Sequence, residues 1–376
     1  MSHHPTYLLK ALIEREQNGL LRKLGHGSPK IDFCSNDYLG FSRSGMLREK
    51  LKETGHYDEL AVGSTGSRLT SGNNSLTEEA EKQIALFHHG QAALIFNSGY
   101  DANLGVLSSV PQQNDLILYD ELVHGSVHDG IRLSRATHYK FRHNDVASVE
   151  ELIHRHQKNY ENIYIVVESV YALDGDTAPL LELAELCKPP KNIFLIVDEA
   201  HAIGVFGSQG RGLCNALGIE QKCFARIYTY GKAMGCHGAS VVGSEMLKNY
   251  LINFARSFIY TTALPNYCID AIRHAYQLLI ETKQKDQLQS NIAYFYSKAS
   301  HIRNCIKSQS AIHSLVLGSN DLVNRLERDL LASNIHARPV RSPAVRAGTE
   351  RVRFSIHSYN SREEINLLLE VLHNFR

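Results

Sequence analysis

The sequence predicts an α/β protein: a large domain with a mainly parallel, seven-stranded sheet covered by helices, and a smaller α+β domain at the C-terminus. Three observations carry this. From about residue 75 short apolar runs alternate with helix-periodic segments. The runs are continuously apolar, as in strands that helices cover on both faces. After about residue 270 the pattern changes to long helical stretches and then isolated strands. A chain of 376 residues also exceeds what one core usually supports. The expected division is an N-terminal segment over 1–45, a large domain over 46–270 and a small domain over 271–376.

The elements follow in order. "MSHHPTYLLKALIEREQNG" reads as a short amphipathic helix with Leu8, Leu9, Leu12 and Ile13 on one face. "SLTEEAEKQIALFHHG" has helical periodicity, with Ser75 as N-cap, Glu78 three positions later and Gly90 to close it. "QAALIF" is a strand, and "NSGYDAN" a small polar turn into the helix "LGVLSSV". "DLILYD" is a strand and "HGSVHDGIRLS" a helix start. "THYKF", "NIYIVVES" and "NIFLIVDEA" are strands separated by the helices "DVASVEELIHRHQ" and "PLLELAELCK". "ARIYTYGKA" and "GASVVGS" complete seven. Beyond them lie long helices, the strand "IHSLVLG", a further helix and "RVRFSIHS".

Bulk properties narrow the function. The net charge of +1 gives no field that favours nucleic acid or anionic membrane. No apolar run is long enough to span a bilayer, and the N-terminus lacks a signal-peptide pattern. The seven cysteines are odd in number, scattered and free of C-x-x-C. That speaks against a disulfide framework or a structural zinc site and suggests a reducing cytoplasm.

In such sheets ligands sit beyond the carboxyl ends of the strands. The residues just after the runs are therefore site candidates: Ser98, Gly99, Tyr100, Asp120, Glu168, Asp198, His201 and Lys232. Lys232, in "TYGKAMGCHGAS", sits among small residues after a strand. A desolvated amine there has a lowered pKa and can form a Schiff base with an aldehyde. Alone, the same lysine fits a solvated glycine turn. Asp198 can hold a proton on a heteroaromatic nitrogen, which makes pyridoxal 5′-phosphate (PLP) an electron sink. His201, three positions on, can donate to a ring hydroxyl. Separately they fit a helix cap and a core histidine. Together with Lys232 they fit one ligand. The "NSGYDANLG" turn can cradle a phosphate at a helix N-terminus, with the Thr229 hydroxyl beside it. His124 can stack on a cofactor ring. Its spacing to His128 also allows a metal pair, but no third ligand is near in sequence, and no metal is expected.

In combination these residues resemble the α-oxoamine synthases, PLP enzymes of fold type I. "CSNDYLG" (34–40), "GSTGSRLTSGNNSLTEEAE" (63–81), "FNSGYDAN" (96–103), "DELVHGSVHDG" (120–130), "YALDGDTAPL" (171–180), "VDEAHAIGVFGSQGRG" (197–212) and "TYGKAMGCHGA" (229–239) occur in that family's order. The resemblance spans nearly the whole chain, and its joint pattern is far more specific than any piece. It implies that Lys232 carries PLP as a Schiff base. Asp198 would pair with the pyridine nitrogen, His201 with the ring oxygen, and His124 would stack on the ring. Ser98, Gly99, Tyr100, Glu168 and Thr229 would complete the cofactor site. Thr261 and Thr262 would reach the phosphate of a partner subunit in a homodimer. Asn36 and Arg353 would contact substrate, Arg353 through a carboxylate. "GSTGSRLTSG" and "AVRAGTERVRFSIHS" resemble the branch that joins L-alanine to pimeloyl-CoA, or the acyl-carrier protein equivalent, in the biotin pathway. Glycine with acetyl-CoA and serine with a long acyl chain are rivals. Two positions depart from the family: Ala172, where serine is usual, and Arg346, where proline is usual. A non-catalytic partner subunit would be expected to lose the lysine. A dehydrogenase would need a G-x-G-x-x-G that is absent.

Overall fold

The structure, a computed structural model, describes residues 4–21, 24, 31–53, 62–189, 191–306 and 308–375. Parts of the expected N-terminal segment, residues 1–3, 22–23 and 25–30, lie outside the described residues. The large sheet holds seven strands: β2 (Ala92–Phe96), β3 (Leu116–Asp120), β4 (Thr137–Phe141), β5 (Ile163–Glu168), β6 (Ile193–Asp198), β7 (Ala225–Thr229) and β8 (Ala239–Gly243). Their spatial order is β2-β8-β7-β6-β5-β3-β4. Only β8 runs antiparallel to its neighbours β2 and β7.

Burial explains the apolar runs. Every residue of β2, β5 and β7 is buried, as a sheet covered on both faces requires. Strand β4, at the edge, exposes His138, Tyr139 and Lys140, and a charged side chain at an edge discourages pairing with another chain.

The second sheet has the order β1-β11-β12-β10-β9, from β1 (Ile31–Phe33), β9 (Cys305–Ile306), β10 (Ile312–Val316), β11 (Ile335–Val340) and β12 (Arg351–Ser355). Strand β1 pairs in parallel with β11, so the N-terminal segment is built into the C-terminal sheet. One apolar core runs from this sheet, through Ile312, Leu326 and Phe354, to Tyr228, Tyr230 and Ile84 on one face of the large sheet. A second core, including Val106, Ile117, Val149 and Leu195, covers the other face.

Two expectations need correction. The helix Ser75–Phe87 is capped by Asn74, not Ser75: Asn74 is extended, and its Oδ1 accepts the Thr77 N–H at 3.0 Å. Ser75 is the first helical residue. The helix Thr6–Gln17 forms as expected but buries no residue, and Leu9 and Leu12 are more than half exposed.

Candidate active site

The carboxyl ends of β2, β3, β5, β6 and β7 converge on a cavity of about 320 Å³. Ten of the expected residues line it: Asn36, Ser98, Gly99, Tyr100, His124, Glu168, Asp198, His201, Thr229 and Lys232. Four other candidates lie outside it, and of these Asp120 departs from the expectation. Asp120 is fully buried away from the cavity. Its oxygens accept the Leu122 and Asn144 N–H groups and bond His143 Nδ1 at 2.9 Å, so it is a structural carboxylate. Thr261 lines a separate small cavity, and Asn97 holds both Thr261 Oγ1 and the Thr262 carbonyl through Nδ2, at 3.0 and 2.8 Å. Arg353 lies one layer behind the cavity wall, reaching Asn36 Oδ1 at 2.8 Å.

The floor is built by adjacent strand ends. Glu168 and Asp198 face each other in register across β5 and β6. Asp198 accepts the Ala200 N–H at 2.9 Å and Asn103 Nδ2 at 2.8 Å. Burial, and then the neighbouring Asp198 charge, push the Glu168 carboxyl up to about 8. Two carboxylates this close in a low dielectric do not both ionise readily. The glycine loop that follows Asp198 is pinned from beneath. Buried Glu199 accepts the Leu213 N–H at 2.9 Å and the Cys214 N–H at 2.6 Å.

The turn after β2 starts the helix Gly99–Ser109. Ser98 spends its hydroxyl on capping, accepting the Asp101 N–H at 3.1 Å and donating to Asp101 Oδ2 at 2.7 Å. The first backbone bond runs from Ala102 to the Ser98 carbonyl. The Gly99 and Tyr100 N–H groups therefore precede the helix ladder and are donors for an anion. A Cβ on Gly99 would lie 2.3 Å from Thr229 Cγ2, so only glycine lets the turn approach the end of β7 this closely. The Tyr100 ring itself points outward, its hydroxyl donating to Asp129 at 2.6 Å.

Lys232 Nζ lies 2.8 Å from His201 Nε2. Burial, opposed by Asp198 and Glu168, brings the amine down to about 8, and Arg353 and Arg338 add to the lowering. Burial also holds His201 neutral, well below the ordinary imidazole value. His124 is exposed at the mouth of the cavity. Its Nδ1 accepts the Ser126 N–H and meets Ser126 Oγ at 2.8 Å, which fixes the ring. His128 turns away onto the Tyr119 ring, 5.4 Å between centroids.

The donor set fits PLP. Thr229 Oγ1 and Glu168 Oε1 are buried and, among the described residues, have no hydrogen-bond partner. Groups of that kind cost stability unless a ligand satisfies them. The orphan N–H groups at Gly99 and Tyr100 suit a phosphate, and the anchored Asp198 suits a ring nitrogen. Sequence reasoning missed Asn103, Ser126 and Tyr38. Asn103 stands one helical turn after Gly99, a spacing that puts it on the cavity face, and its Nδ2 bridges Asp198 to Ser126 Oγ at 2.8 and 3.0 Å.

Fold and site together define a PLP-dependent enzyme of fold type I, and residues 28–372 match the aminotransferase class I and II family, to which the chain belongs. Its relatives place it among the α-oxoamine synthases, which are acyltransferases. It is 40% identical to an 8-amino-7-oxononanoate synthase of Emericella nidulans, covering 97% of this chain and 94% of that one. A solved 8-amino-7-oxononanoate synthase from Francisella tularensis superposes with a TM-score of 0.78 at 32% identity, covering 91% and 96% of the two chains. A serine palmitoyltransferase variant from S. paucimobilis, with a bound PLP–myriocin aldimine, gives a TM-score of 0.87 at 25% identity over 97% and 96%. Among the described residues no helix is long and apolar enough to cross a membrane.

Proposed function

We propose that this chain joins L-alanine to a pimeloyl thioester, on CoA or a carrier protein, in the biotin pathway. Carbon dioxide and the free thiol leave, and 8-amino-7-oxononanoate forms. The observation that carries the reading is the half-buried Lys232 amine, set against His201 at the mouth of a cavity floored by Asp198. The choice of L-alanine and pimeloyl rests on the relatives of that name.

PLP bound here supplies an electron sink for the pair left when the amino acid loses its α-proton. The residues do the rest. Lys232 is a base of suitable strength for that proton near neutral pH, since burial lowers the amine toward the working range. Asn103 and the Ala200 N–H orient Asp198 as the partner of the ring nitrogen. The Gly99 and Tyr100 N–H groups and Thr229 would hold the phosphate, and His124 would cover the ring. Arg353 is fully buried, and among the described residues no carboxylate pairs with it. A buried cation in that state calls for an anionic partner, and a substrate carboxylate, with Asn36 beside it, supplies one. Thr261 and Thr262 lie outside the cavity of their own chain, which supports the reading that they serve the phosphate of a second copy in a homodimer. We place the reaction in the cytoplasm; among the described residues no disulfide forms.

Serine with a long acyl chain is the second reading, favoured by the likeness to serine palmitoyltransferase. Visible spectra of the holoenzyme with L-alanine, glycine or L-serine, followed by pimeloyl-CoA or palmitoyl-CoA and product analysis by mass spectrometry, decide between them. Formation of 8-amino-7-oxononanoate with alanine alone is expected. A response confined to serine would keep the family and refute the substrate. Lys232→Ala should remove the Schiff-base band and all turnover; steady-state product from that variant would overturn the assignment. Mixing Lys232→Ala chains with Thr261→Ala/Thr262→Ala chains should restore part of the activity that each lacks alone, and no recovery would count against the shared site.

A further inference from the structure

Behind Lys232 runs a hydrogen-bonded chain that none of the roles above uses. Lys232 Nζ meets His201 Nε2 at 2.8 Å, and His201 Nδ1 meets the Tyr38 hydroxyl at 2.8 Å. The Tyr38 hydroxyl also lies 3.2 Å from Asn36 Oδ1 and accepts Arg353 Nη2 at 3.3 Å. Tyr38 is fully buried. Its backbone is fixed on both sides: its N–H donates to the Asn36 carbonyl and its carbonyl accepts the Ser358 N–H, each at 2.8 Å. The hydroxyl therefore has no access to water and, among the described residues, only these partners.

The protons in this chain can be counted. A neutral imidazole carries one N–H, and a phenol one O–H. When Lys232 is an ammonium it donates to Nε2. The ring hydrogen must then sit on Nδ1 and donate to the Tyr38 oxygen, and the Tyr38 hydrogen goes to Asn36 Oδ1. When Lys232 is neutral it gains a lone pair, which opens the second arrangement, in which Nε2–H donates to it. Nδ1 is then an acceptor, and the Tyr38 hydrogen turns from Asn36 to His201. Only a side chain that both donates and accepts at position 38 satisfies both states. Burial keeps the phenol protonated by pushing it up to about 12.

We propose that Tyr38 is a positioning residue that sets the tautomer of His201 and so couples that ring to the protonation of Lys232. The proposal rests on Lys232 being the reactive amine. The charged and titratable groups facing Lys232 and His201 are Asp198 from β6, Glu168 from β5, His124 after β3, Arg338 from β11 and Arg353 from β12. None of them is substituted in the test, and Arg353, which loses its contact to the Tyr38 hydroxyl, keeps its bond to Asn36 Oδ1.

Tyr38→Phe keeps the ring and removes the hydroxyl. His201 Nδ1 then has no partner in either state. A buried N–H without an acceptor is harder to tolerate than a bare acceptor, so the ring settles with its hydrogen on Nε2. Lys232 faces a donor, its ammonium loses its acceptor, and its pKa falls by roughly half to one pH unit. The measurement uses full-length protein freed of PLP. Competitive acetylation of Lys232 across pH, read by mass spectrometry, gives the amine titration. Nitrogen-15 shifts of His201, assigned with His201→Gln, give the tautomer. In the parent protein the tautomer should exchange as Lys232 titrates; in Tyr38→Phe it should stay fixed with the amine titrating lower. A parent His201 that keeps one tautomer through the titration refutes the proposal without any variant. An unchanged Lys232 titration in a folded Tyr38→Phe protein refutes it as well. Neither readout involves cofactor or acyl donor, so a wrong substrate assignment leaves both unaffected.

Discussion

The tightest approach in the cofactor site is between Gly99 and Thr229, and it allows a two-variant test of the phosphate cradle. In Gly99→Ala the new Cβ would stand 2.3 Å from Thr229 Cγ2, where ordinary contact begins at 3.4 Å. The helix start must retreat by about an ångström, and overpacking of this size costs about 1–3 kcal/mol. The PLP-free protein can relax by that retreat. A bound phosphate cannot, because the Gly99 and Tyr100 N–H groups and Thr229 Oγ1 must keep their spacing. Most of the cost therefore appears as lost affinity, roughly 5- to 150-fold. The next atom within reach of the Cβ is Thr229 Cβ at 3.5 Å, an ordinary contact. Thr229→Ser deletes the offending methyl and keeps the hydroxyl, so the double variant should recover most of the affinity. The assay is titration of PLP-free protein with PLP, followed by the Schiff-base absorption, with melting temperatures of the PLP-free proteins alongside. If Gly99→Ala binds PLP like the parent, or Thr229→Ser fails to rescue it, the phosphate does not sit between these two residues.

Two further perturbations bear on the surroundings. Asp198→Asn removes the charge that Asn103 and Ala200 orient. PLP should still bind, while exchange of the alanine α-proton with D2O, measured by proton NMR, should fall at least about a hundredfold; normal exchange would contradict the role of Asp198. His143 bridges Asp120 at 2.9 Å and Asp176 at 2.6 Å. Burial opposes its charge, but the two carboxylates outweigh it and push the imidazole from 6.5 to about 10. A raised folded-state pKa gives stability that is complete below the unfolded value and is lost as pH rises through the folded one. The gap in melting temperature between parent and His143→Gln should be largest near pH 6.5 and shrink toward pH 10. A gap that widens with pH would show that the bridge is not charged.

The sequence made the strand ends legible because burial on both faces forces continuous apolar runs, and ligands collect where such runs stop. Asp198, Glu168 and Ser98 were readable from that rule alone. Asp120 obeyed the same rule and was misread, because its partners Asn144 and His143 arrive from beyond the next strand, and nothing local shows that its oxygens are spent. The cap of the helix Ser75–Phe87 was misplaced by one residue for a related reason. Asn74 and Ser75 are both good caps, and the choice depends on which one is held extended. The exposed helix Thr6–Gln17 shows that an amphipathic pattern gives a face but not what covers it. Tyr38 was the least readable. Its hydroxyl acts only because β1 pairs with β11, which brings Asn36 and Tyr38 to Arg353 of β12 and Tyr38 to His201 after β6. The resemblance could name Lys232 and His201 as cofactor residues without the chain behind them, since that chain joins positions 163 and 315 residues apart in sequence. Motif spacing records contacts within one turn or one loop. A hydrogen-bonded chain assembled from distant strands appears only when the strands are in place.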